Sequence, residues 1–109
     1  MAELDDNSGA QLDVRPGADG EGQPVIALAG ELDISSVESL RRAVEQATAA
    51  GPQRLTFDVA QLRFMDSAGI AVLLNAAKQV PNVRLRSPTL AVRRVVELTG
   101  LSEVLVVEQ

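Results

Sequence analysis

Apolar residues fall into short blocks along this chain, each with its own spacing. Leu12 and Val14 alternate with Asp13 and Arg15, the period-two pattern of a half-buried strand. Val25 to Ala29 is continuously apolar, which predicts a central strand covered on both faces. Between them Pro16 to Pro24 is rich in Gly and carries Asp19 and Glu21, so it reads as a loose, exposed hairpin connection. Gly30-Glu31-Leu32-Asp33-Ile34 then leads into a helix. Ser35 and Glu38 have the spacing of a capping box. Val37, Leu40, Val44 and Ala47 share one helical face, with Arg41, Arg42 and Glu45 mostly away from it. Ala50-Gly51-Pro52 ends this helix.

Leu55, Phe57 and Val59 alternate with Thr56 and Asp58 and predict a third strand, followed by a turn at Ala60 to Arg63. Ala68 to Val80 is apolar nearly all round, broken only by Asn75, Lys78 and Gln79, which predicts a largely buried helix. Pro81 and Asn82 stop it. Val83 and Leu85 alternate with Arg84 and Arg86 as a fourth strand. Ser87-Pro88 predicts an N-cap with Pro at the first helical position. Val92, Val95, Val96 and Thr99 form the inner stripe of that last helix. Gly100 suits a left-handed position after its end, with Leu101 packing back on Val96. Val104 to Val107 is either a closing edge strand or a packed tail.

The predicted order is strand, strand, helix, strand, helix, strand, helix, with a possible closing strand. Such an order needs right-handed crossovers in a largely parallel sheet, opened by an antiparallel hairpin. The spacing leaves open whether helices cover one sheet face or both. Residues Met1 to Ala10 are acidic, polar and small and read as a flexible lead-in, leaving 11–109 as one domain.

Composition narrows the function classes. Without His or Cys, the commonest transition-metal ligands and the usual nucleophile–base pairs cannot be built, so no enzyme, cofactor or metal site is expected. Phe57 and Phe64 are the only aromatic residues, too few for a base-stacking platform. The net charge of −5, with the Arg residues scattered, opposes direct binding to nucleic acid or anionic lipid. The N-terminus lacks the order of a signal peptide, and no apolar run approaches the ~20 residues of a membrane helix. A cytoplasmic protein that binds another protein is the expectation.

The strongest local feature is Asp66-Ser67-Ala68-Gly69. Read blandly, it is a helix start, with Ser67 capping a backbone N–H and Asp66 well placed for the helix dipole. A Ser at that position on a surface loop is also an exposed hydroxyl where phosphate would meet a positive helix end. Asp33, Asp58 and Asp66 invite a metal or phospho-aspartate reading. Against it, no acidic pair follows Val14, and Lys78 lies in a helix rather than at a strand end. Gly30 is isolated from any phosphate-loop pattern.

Three stretches together resemble a STAS domain of the bacterial anti-sigma-factor antagonist type. They are VIALAGELD at Val25 to Asp33, LTFDVAQLRFMDSAGIAVLL at Leu55 to Leu74, and AVRRVVELTGL at Ala91 to Leu101. The resemblance implies a mixed four- to five-stranded α/β sheet with helices mainly on one face. It also implies partner switching. Members of the antagonist group bind an anti-sigma factor that is itself a serine kinase and so release a sigma factor. The kinase phosphorylates a Ser at the start of the second helix, and a serine phosphatase reverses it. On this sequence that Ser is Ser67. The implied partner surface is Gly30, Glu31, Asp33, Ser35 and Ser36 with Phe64, Met65, Asp66, Ser67, Ala68, Gly69, Ile70 and Val72. The free protein is expected to be a monomer. STAS domains also serve membrane transporters, so an accessory subunit of a lipid ABC transporter is the alternative. The Pro16–Pro24 connection looks long for the family and the Lys78–Val83 link short.

Overall fold

The computed structural model describes residues 11–109, and the expected lead-in, Met1 to Ala10, lies outside the described residues. Strand β1 (Leu12–Ala18) pairs antiparallel with β2 (Pro24–Leu32). Helix α1 (Val37–Thr48) leads to β3 (Arg54–Met65), and α2 (Ser67–Gln79) leads to β4 (Asn82–Arg86). Helix α3 (Leu90–Thr99) and a 3-10 turn at Leu101–Glu103 precede the closing edge strand β5 (Val106–Glu108). The strands lie in the order β1-β2-β3-β4-β5, and β2 to β5 are parallel.

One face of this sheet is covered, and the alternation of side chains says which. Leu12, Ile26, Leu28, Leu55, Phe57, Val59, Val83 and Leu85 are buried under the helices. The opposite phase forms a cross-strand row of Arg15, Ala27, Asp58, Arg86 and Glu108, on the face that is bare among the described residues. The expectation that β2 is covered on both faces is therefore corrected: Ala27 and Ala29 are only partly buried. Alanine is small enough to suit either environment, which is why a continuous apolar run misled. Helix α1 buries Val37, Leu40, Ala43 and Val44, with Ala47 packed beside them.

Helix α2 buries one stripe, Gly69, Val72, Leu73 and Ala76. It is not the all-round buried helix its composition predicts, since Ala71, Leu74 and Asn75 are exposed. Helix α3 buries Val92 and Val96, with Val95 partly buried; Thr99 is exposed and turns its Oγ1 back to the Val95 carbonyl at 2.7 Å. Gly100 has the left-handed backbone expected of it (φ 75°), and Leu101 joins the core.

Two connections differ from expectation. The β1–β2 link is short and tight, because β1 runs on through Pro16, Gly17 and Ala18 to leave only Asp19–Gln23 as the turn. Proline is tolerated there because β1 is an edge strand. The turn is clamped to β3. Arg54 Nη2 donates to Asp19 Oδ2 at 2.6 Å and to Glu21 Oε1 at 2.5 Å, and Gln23 Oε1 accepts from the Gln53 and Arg54 N–H groups. The Arg54 guanidinium holds the Asp19 carboxyl at about 2, assisted by the Glu21 and Gln23 N–H groups.

The second difference is at Ala60 to Arg63, which belongs to β3 and is not a turn. The register carries the reason. Ala27 and Ala29 face Asp58 and Gln61, and Gly30 and Glu31 face Leu62 and Phe64, so β3 takes up an extra residue at each irregularity. Inward side chains then recur at Val59, Leu62 and Met65, every third residue instead of every second.

Candidate functional site

The parallel strands β2 and β3 leave the sheet side by side, at the pole opposite the Asp19–Gln23 turn. That places the two stretches singled out in the sequence against each other. Glu31 pairs with Phe64 and Leu32 with Met65, and the Asp66 N–H donates to the Leu32 carbonyl at 3.1 Å. Across the same pair Arg63 approaches Glu31 at 3.6 Å.

The turn after β2 is organised by Asp33 and Ser36. Asp33 Oδ1 accepts from the Ser35 N–H at 2.9 Å and from its hydroxyl at 2.7 Å. Ser36 Oγ accepts from the Asp33 N–H at 3.0 Å and donates to the Glu31 carbonyl at 2.9 Å. The Ser35 hydroxyl, then the other Ser35 and Ser36 donors, hold the Asp33 carboxyl below its ordinary value. The predicted capping box does not form. Ser36 is the N-cap of α1 and makes no side-chain cap bond, because its hydroxyl is committed to the turn.

At the second helix the cap is Asp66 rather than Ser67. Asp66 Oδ1 accepts from the Ala68 N–H at 2.9 Å, and the Asp66 carbonyl takes the Ile70 N–H at 3.1 Å. A carboxylate one residue earlier displaces the hydroxyl from the capping role. Ser67 becomes the first helical residue, exposed and released from capping.

Glycine fits two close approaches. A methyl on Gly69 would lie 2.7 Å from Leu32 Cδ2 and 2.8 Å from Met65 Cγ, so its hydrogen lets α2 rest on the ends of β2 and β3. Gly30 has φ 106°, and a Cβ there would come within 2.0 Å of the Gln11 carbonyl oxygen. That carbonyl accepts the Glu31 N–H at 2.8 Å.

The expected partner residues thus divide. Ser35, Phe64 and Ser67 are exposed, and Gly30, Glu31, Asp33, Ser36, Asp66, Ala68 and Ile70 are partly so. Met65, Gly69 and Val72 are buried and offer little side-chain surface to a partner. Their hydrophobicity belongs to the core, and they shape the surface from beneath. Ile34 was missed. It sits among polar turn residues and is 81% exposed. An apolar side chain inside a polar turn was the available signal. At the third helix Thr89 replaces Ser87 as the cap of α3, accepting from the Val92 N–H and donating to the Leu62 carbonyl at 2.8 Å. Ser87 instead takes a left-handed backbone, φ 57°, and donates its N–H to the Glu108 carbonyl.

Asp33, Asp58 and Asp66 do not converge. Among the described residues no cluster of three or more carboxylates could hold a metal ion, and no helix is long and apolar enough to cross a membrane.

Comparison with known proteins gives a consistent picture. A family model described as "Mlab, STAS domain" matches residues 17–108. The anti-sigma-F factor antagonist RsfB of Mycobacterium tuberculosis is 27% identical over 63 residues, 58% of this chain and 52% of RsfB. The chain thus spans about half the length of the curated relatives it matches. The unphosphorylated form of the anti-sigma factor antagonist SpoIIAA superposes with a TM-score of 0.75 at 25% identity, covering 89% of each chain. An anti-sigma factor antagonist from Mycobacterium paratuberculosis superposes with a TM-score of 0.84 over 93% of this chain and 88% of that one. At 22% identity the latter likeness speaks to the fold.

Proposed function

Because the chain belongs to the STAS domain family, we propose that it is an anti-sigma factor antagonist switched by phosphorylation of Ser67. In this reading it acts in the cytoplasm by binding an anti-sigma factor with serine kinase activity, and it frees a sigma factor in doing so. The kinase phosphorylates Ser67, binding is lost, and a serine phosphatase restores it. The protein works by contact rather than by turnover.

The observation that carries the proposal is the position of Ser67. It is exposed at the first residue of α2, directly after the capping Asp66, and beside the turn that follows β2. A phosphate there adds about −1.5 to −2 charge at neutral pH. The helix end favours that charge, so the fold survives. The cost falls on the interface, where the phosphate would be buried against a partner fitted to a hydroxyl. About 3 kcal/mol, or roughly a hundredfold in affinity, is expected.

The test is titration calorimetry against the anti-sigma kinase recovered by pull-down, with circular dichroism as a folding control. Ser67→Ala binds and stays bound in the presence of ATP. Ser67→Asp and the phosphoprotein bind about a hundredfold more weakly while remaining folded. Equal binding by phosphoprotein and wild type removes the switch from Ser67. Recovery of an ABC ATPase in place of a kinase favours the transporter alternative.

A further inference from the structure

We infer that the partner surface extends beyond the two turns beside Ser67 to a third, and that Ile34, Phe64 and Leu90 anchor it to an apolar patch on the anti-sigma partner. The inference rests on the reading above that the Ser67 surface meets such a partner.

Topology supplies the first argument. Strands β2, β3 and β4 are parallel neighbours, so the turns that follow them leave the sheet at the same pole. Each turn region presents one large apolar side chain to solvent. Ile34 is 81% exposed, Phe64 48% and Leu90 63%. Strand β4 ends level with Asp58, seven residues short of the end of β3, and the segment after it continues along β3 until Thr89 reaches Leu62, which brings the start of α3 up beside the far end of β3.

Hydrogen bonds fix the arrangement locally. Glu31 is in register with Phe64, which sets Ile34 three residues beyond on one side. On the other side Thr89 Oγ1 donates to the Leu62 carbonyl at 2.8 Å, which ties the start of α3 to β3 two residues before Phe64. Ile34 and Leu90 therefore flank Phe64. The left-handed Ser87 and its bond to Glu108 hold the third turn in place.

Exposure of this kind contributes nothing to the core. The other aromatic residue, Phe57, is fully buried, so the chain spends half of its aromatic side chains on this pole. Clustered exposed apolar groups mark interaction surfaces. The Glu31–Arg63 ion pair, Ser35 and Ser67 lie on the same strand ends and turns, so a partner that covers Ile34, Phe64 and Leu90 meets polar neighbours as well, the mixture usual in a protein interface.

Leu98 supplies a matched control. It is the more exposed residue at 87%, but it lies eight residues along α3 from Leu90, about 12 Å at 1.5 Å per residue. The experiment is titration of the recovered anti-sigma kinase with wild type, Ile34→Ser, Leu90→Ser, Leu98→Ser and Ser67→Asp, each verified as folded by thermal melting. Ile34→Ser and Leu90→Ser each weaken binding about tenfold or more, and Leu98→Ser stays within about twofold. If Leu90→Ser binds like wild type while Ser67→Asp does not, the third turn is overturned and the switch stands. Loss in Leu90→Ser with full binding by Ser67→Asp supports the wider surface and removes the switch. Co-sedimentation with phosphatidylcholine–phosphatidylglycerol vesicles is the second arm. Vesicle binding that Leu90→Ser abolishes, with kinase affinity untouched, assigns the pole to lipid and overturns the inference.

Discussion

A single missing methyl group at Gly69 lets α2 settle onto Leu32 and Met65. Both neighbours are buried side chains with some freedom to shift, so Gly69→Ala strains the packing without forbidding it. The expected loss is about 1–3 kcal/mol in urea unfolding. Gly30→Ala is more severe, because the obstacle is a backbone carbonyl and the φ of 106° disfavours any side chain. Gly20→Ala, with nothing within 4 Å of the new methyl, is the neutral reference. None of this ranking is visible in the sequence, where Gly69 is one small residue in an apolar run. Its neighbour Leu32 is 37 positions away, and only the fold brings them together. The helix start at Asp66-Ser67, by contrast, is legible from its immediate surroundings, although the cap is Asp66 and not Ser67. Asp and Ser are near-equal cap formers, so local preference does not choose between adjacent candidates.

Element by element, alternation worked wherever a strand kept its period. It failed in the second half of β3, where the two irregularities re-phase the strand and Val59, Leu62 and Met65 point inward at intervals of three. A period-two template reads such a stretch as a turn. Helix α1 was well marked because its apolar stripe is unbroken. Leu40→Ala and Val44→Ala should each cost roughly 1–4 kcal/mol, and Arg41→Ala, on the exposed face with a single ion pair to Glu38, close to nothing. Equal urea midpoints for the three would contradict the buried face. The β1–β2 hairpin adds a pH signature. Asp19 titrates at about 2 in the folded protein and near 3.9 when unfolded. Its depressed value means that its contribution is fully present above about pH 4 and is lost as pH falls through about 2. The stability gap between wild type and Asp19→Asn should therefore close over that window. A gap that persists at pH 2 would show that Arg54 does not act through the Asp19 charge.

For the whole molecule, the order of elements and the antiparallel start were available from pattern, while the choice of one covered face was not. Periodicity tells which side chains share a face and is silent on what lies against it. The bare face, with its row of Arg15, Asp58, Arg86 and Glu108, needed the register to be seen. So did the gathering of three turns at one pole, since Leu90 lies 23 residues after Ser67.

The two poles of the sheet give the molecule a handle as well as a candidate surface. The Asp19–Gln23 turn precedes β2 and the candidate surface follows it, eight strand steps or about 26 Å away. The chain contains no cysteine, and Gly20 faces open space. One thiol introduced by Gly20→Cys would therefore carry a dye or a surface tether at the remote pole, and the affinity for a partner should be unchanged. Glu108 lies against Ser87 at the third turn, so a dye on a Glu108→Cys thiol would sit nearer the candidate surface instead. Measuring the same affinity with the two attachments turns the polarity of a parallel sheet into a quantity that can be read from a binding curve.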